Sequence, residues 1–113
     1  MNITKAQKKH LRKLAAFGYE KDLARCLNVV KNSFERWDSG EISVWDLNEK
    51  IHEFHDDIAR ELYKSYTSIN DPTFSVVFGI RQGVIDIDEV NEDCKHLLQP
   101  LLEYFERSDD TEA

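Results

Sequence analysis

The sequence predicts an all-α fold, a small bundle of four to five helices. Three observations carry this. With 4 Gly and 2 Pro in 113 residues, the chain has few turn formers for a β-sandwich. Pairs at the spacing of helix N-terminal caps recur along it: Thr4 with Gln7, Ser43 with Asp46, Asp71 before Pro72, and Asp86 with Glu89. Behind the caps, apolar residues recur at three- and four-residue steps.

The first helix opens at Lys5. Leu11, Leu14, Ala15 and Gly18 form one stripe, and Tyr19, Leu23, Cys26, Leu27, Val30, Phe34 and Trp37 a second. A single helix over 5–36 would be about 48 Å long, so a bend or break is expected near Gly18. Asp38-Ser39-Gly40 is a turn that ends this segment.

The central helix spans 44–67 and organises the bundle. On a wheel of uniform 100° steps, Val44, Leu47, Ile51, Phe54, His55, Ile58 and Leu62 share one side, with Trp45, His52, Ala59, Tyr63 and Tyr66 as a shoulder. Asp46, Glu49, Glu53, Asp56, Asp57, Arg60 and Lys64 lie opposite. His55, between Ile51 and Ile58, is therefore expected in the core. Beyond it, Pro72 opens a short buried helix over roughly 72–82, stopped by Gly83. Asp86 and Glu89 cap the next turn or the last helix. Cys94, Leu97, Leu98, Leu101, Leu102 and Phe105 form the last stripe, with a kink or restart expected at Pro100. Residues 1–107 read as a single helical domain and 108–113 as a disordered acidic tail.

The net charge of −7 is unevenly spread: residues 1–31 carry +6, 35–61 carry −6 and 62–113 carry −7. A basic segment followed by an acidic one suits an antiparallel helix pair with complementary faces, or a surface that meets a charged partner. Lys5, Lys8, Lys9, Arg12 and Lys13 could meet phosphates, but the absence of interleaved aromatics and the acidic whole argue against nucleic acid. No apolar run is long enough to span a membrane, and the N-terminus lacks the apolar segment of a signal peptide. Cys26 and Cys94 read as buried thiols in a reducing cytoplasm.

Chemistry is sparsely signalled. Glu49-x-x-His52 and Asp93-x-x-His96 have the spacing of a di-iron element, which makes His52 and Glu49 weak metal candidates. Such a site needs carboxylates from two further helices, and Glu49 points away from His55. The HEFH run is not the zinc-protease HExxH, and no phosphate loop, nucleophile elbow or cofactor motif is present. The stronger candidate is a docking surface for a basic protein partner: Glu49, Glu53, Asp56 and Asp57, with Trp45 and Tyr63 as aromatic anchors at its rim. Its carboxylates sit four apart, as in Glu49–Glu53 and Glu53–Asp57, a repulsive spacing in a helix. Internal pairing with Lys8, Lys9, Arg12 and Lys13 is the competing explanation.

The segments Gly40-Glu41-Ile42, Ile51-His52-Glu53-Phe54-His55 and Ala59-Arg60-Glu61-Leu62-Tyr63-Lys64 resemble a stretch of small uncharacterised bacterial helical proteins. The resemblance covers about a quarter of the chain and implies a bacterial origin; it carries no activity. Bacterial immunity proteins are similar in composition, being small, acidic and helical. The leading expectation is a non-catalytic, cytoplasmic protein-binding module of inhibitor, immunity or adaptor type, with self-association left open. The alternative is a small metal- or ligand-binding protein, or an enzyme, that uses His52 and His55.

Overall fold

The computed structural model describes residues 3–67 and 71–112, the side chains of 109–112 excepted. All regular structure among them is helical. α1 is Lys5–Asp38, α2 Val44–Glu53, α3 Arg60–Tyr66, α4 Pro72–Arg81 and α5 Glu92–Glu112. A π-helical turn, Phe54–Ala59, joins α2 to α3, so that 44–66 is one rod; a 3₁₀ turn, Ile87–Glu89, precedes α5. No helix among the described residues is long and apolar enough to cross a membrane.

The predicted caps form. Thr4 with Gln7, Ser43 with Asp46 and Asp86 with Glu89 each make a reciprocal capping box, and Asp71 accepts from the Thr73 N–H with Pro72 in the first turn. Each satisfies backbone donors that a helix start leaves open. Gly83, at φ 77°, follows the C-cap of α4, and its backbone conformation favours a residue without Cβ.

α1 and the α2–α3 rod form an antiparallel hairpin. At its base, α4 and α5 close a core of Leu11, Leu14, Ala15, Val76, Val77, Ile85, Val90, Cys94, Leu97 and Leu98. α4 is buried on nearly every side, as its apolar sequence requires. The other end of the hairpin stands clear of α4 and α5, and the molecule measures 54 × 34 × 23 Å.

No break occurs at Gly18 and no restart at Pro100. α1 runs unbroken for 34 residues. Gly18 is there for close approach: a Cβ at that position would lie 2.7 Å from Ile85 Cδ1 and 3.3 Å from Tyr66 Cε1. α5 continues through Pro100 without restarting. Its helical backbone runs on to Glu112, and Ala113 lies outside the described residues.

Candidate partner-binding arm

The hairpin is clasped to the base by one polar cluster. Asp22 is 2% exposed, and its carboxylate accepts the Tyr66 hydroxyl at 2.8 Å and Arg25 at 3.2 Å. Arg25 also donates to the Gln82 carbonyl at 3.0 Å, tying α1 to the end of α4. Tyr66 stacks on Tyr19 at 5.5 Å and meets Phe78 edge-on at 5.1 Å. Burial, together with the Asp22 carboxylate, holds the Tyr66 phenol far above its ordinary pKa.

Beyond this clasp extends an arm made of the second half of α1, the tip and α2. The tip is ordered by local bonds. Glu41 N–H and Ile42 N–H donate to the Arg36 carbonyl at 2.8 and 3.3 Å, Arg36 pairs with Glu41 at 3.2 Å, and Gly40 takes φ 80°. Ser43 then caps α2, and its hydrogen bonds hold the Asp46 carboxyl below the usual range.

The π turn overturns the uniform wheel. One extra residue in the turn means that Phe54 to Leu62, eight residues apart, are separated by the equivalent of about seven α-helical steps, so they nearly align. The inward line is therefore Leu47, Phe54, Ala59, Leu62 and Tyr66: Leu47, Leu62 and Tyr66 are buried, Phe54 and Ala59 half-buried. Val44, Ile51, His55 and Ile58, expected in the core, are exposed. The His55 side chain is 82% exposed and its Nδ1 lies 3.2 Å from Asp56, whose carboxyl that hydrogen bond holds below its ordinary pKa. The second α1 stripe is also not a core stripe, since Leu27, Phe34 and Trp37 are 47%, 44% and 42% exposed.

Glu49, Glu53, Asp56 and Asp57 are all exposed on the arm, and Trp45 is 78% exposed near its tip. Tyr63 is 61% exposed, but the inserted residue turns it by about 100° relative to Trp45, off the acidic line. Among the described residues, none of these carboxylates pairs with Lys8, Lys9 or Lys13. Glu53 shares a groove with Cys26, Val29 and Arg36, and Cys26 is 13 residues beyond Lys13, about 20 Å along α1. Among the described residues no cation within the chain pairs with Glu49, Glu53 or Asp57. The basic residues Lys5, Lys8, Lys9 and Arg12 instead line a shallow hollow at the base.

His52 and Glu49 do not converge with other ligands; no group of three His, Cys, Asp or Glu side chains among the described residues could hold a metal. Burial pushes both thiols upward, Cys26 with help from Asp22 and Cys94 from Asp93. Both stay protonated at neutral pH and are poor nucleophiles. The groove of about 200 Å³ between the helices has an apolar floor of Val29, Phe54 and Ile58, with Arg36, Lys50 and Glu53 at its rim.

Sequence reasoning missed the exposed apolar surface of the arm. One signal could have shown it: Leu23, Leu27, Val30, Phe34 and Trp37 alternate strictly by four and three, the spacing of a seam between helices.

No family model matches the chain, and neither a curated protein nor a solved structure matches it.

Proposed function

We propose that this protein is a non-catalytic binding module that docks a basic protein surface through the acidic side of its arm, as an inhibitor, immunity protein or adaptor would. The supporting observation is that Glu49, Glu53 and Asp57 are exposed on a projecting helix and make no ion pair among the described residues. The second acidic cluster, Asp86–Asp93, differs in this respect. Asp86 and Glu89 are spent on a capping box, and Glu92 pairs with Lys95 at 2.7 Å. Unpaired carboxylates of one sign steer a cationic partner and set the salt dependence of association. Trp45 supplies the large amphipathic side chain that anchors such interfaces. The reading includes a cytoplasmic setting, which suits two free, protonated cysteines.

The test is an NMR titration of the labelled protein with a synthetic lysine- and arginine-rich helical peptide. Shifts should concentrate on residues 45–57, weaken with salt, and vanish in the Glu53→Lys, Asp57→Lys variant. Shifts centred on residues 86–93, or unchanged by the substitutions, would reject the acidic side of the arm as the docking surface.

A further inference from the structure

The arm is under-buried for a structure that stands alone. Of residues 23–61, only Ser33 and Leu47 are buried. Two helices bury only a narrow seam between them; a bundle of four encloses a wider core.

Over the base, α4 covers one side of the hairpin and the other is open; over the arm, the α4 side carries the groove of Val29, Phe54 and Ile58. Arg25 reaches the Gln82 carbonyl, and the Ser75 hydroxyl donates to the Ser65 carbonyl at 2.8 Å, so α4 lies on the side of α1 and α3 that bears Arg25 and Ser65. At 100° per residue, Leu27 and Phe34 lie about half a turn around α1 from Arg25, and Tyr63 about half a turn around α3 from Ser65. With the extra residue of the π turn counted, Val44 and Ile51 fall on the side of Tyr63. The open side is thus lined by Leu23, Leu27, Val30, Phe34 and Trp37 from α1, with Val44, Ile51 and Tyr63 from the rod. Among these, Leu27, Phe34, Trp37, Val44 and Ile51 are 38–51% exposed. Together they leave on the order of 400 Å² of apolar surface uncovered, as much as the largest patch on a typical monomer.

We propose that this open side is the interface of a homodimer, in which a second copy lays its own hairpin face to face on the first and completes a four-helix bundle. From Tyr19 to Trp37 and two helices across, the footprint is roughly 27 by 20 Å in projection, that of an interface smaller than the about 800 Å² per partner of a standard one. The four-three spacing on α1 is what a helical occupant of the same periodicity requires. The charges at the edges suit a two-fold axis parallel to the hairpin. Glu20, on the outer edge of α1, and Lys64, on the outer edge of α3, are both exposed and lie within about one helical turn of each other in height, on either side of the Asp22–Tyr66 contact. That axis sets each Glu20 beside the partner's Lys64. The acidic line of Glu49, Glu53 and Asp57 remains outside this interface, so the dimer would present two copies of it.

Sedimentation equilibrium of the full chain across micromolar concentrations tests the proposal. The wild type should approach twice the 13.3 kDa of one chain. Leu27→Glu with Phe34→Glu should remain at the monomer mass with its helical circular dichroism retained, because both positions are already exposed. Glu20→Lys should weaken the dimer at least several-fold, and adding Lys64→Glu should restore it. A wild type that stays monomeric, a dimer that survives the double glutamate substitution, or a Glu20→Lys loss that Lys64→Glu fails to restore would each overturn it.

Discussion

Tyr66 and Gly18 carry the junction between base and arm. The Tyr66 hydroxyl is one of the donors that satisfy the buried Asp22 carboxylate, and no buried side-chain polar atom among the described residues lacks a partner. Tyr66→Phe leaves that carboxylate short of a donor and should destabilise the fold by about 1–3 kcal/mol in chemical denaturation. The same contact sets a pH dependence. The phenol's folded pKa lies above its unfolded value of about 10, so the folded chain keeps a proton that the unfolded chain releases. Its stabilising contribution is complete below pH 10 and falls as pH rises beyond it; Tyr66→Phe should flatten that alkaline decline in melts taken at rising pH. Gly18→Ala drives a methyl into Ile85 and should cost about 1–3 kcal/mol. Ile85→Val removes the nearest atom, Cδ1, so the two changes together should cost less than their sum.

At the scale of elements, the helix starts were legible because a cap is a local device. Ser43 and Asp46 need only each other and a nearby backbone, and the same holds for Thr4 with Gln7. The inward face of the central rod was not legible. A uniform wheel assumes a constant angle per residue, and the π turn at Phe54–Ala59 inserts an extra residue that turns Tyr66 inward. Nor does periodicity tell a core stripe from an uncovered one, so the stripe that ends in Phe34 and Trp37 does not reveal its exposure. Deletion offers a direct check on the π turn. Removing exposed His55 should convert the turn to regular α-helix, keep Tyr66 on Asp22 and leave the melting temperature nearly unchanged. Removing Lys64 leaves the π turn in place and rotates Tyr66 by about 100°, which should cost about 3 kcal/mol or more as the clasp opens. Equal losses from the two deletions would contradict this account of the rod.

At the scale of the molecule, the base holds the core while the arm holds surface: apolar on one side and acidic on another. Glu49, Glu53, Asp56 and Asp57 are exposed, and the basic start of α1 lies too far along the hairpin to neutralise them. Glu53→Lys with Asp57→Lys should therefore change stability by no more than about 0.5 kcal/mol in low or high salt, as thermal melts would show. A large loss that salt diminishes would restore the internal pairing. The central claim is that the arm is built for association, its own burial being too small to hold it firmly. Hydrogen–deuterium exchange of the arm amides, followed as the protein is diluted, tests this most directly. The account predicts that amides in residues 23–58 exchange slowly at high concentration and faster on dilution, while those of Leu11, Val76 and Leu98 do not change. Arm amides as protected as the base at every dilution would show a self-sufficient hairpin and contradict it.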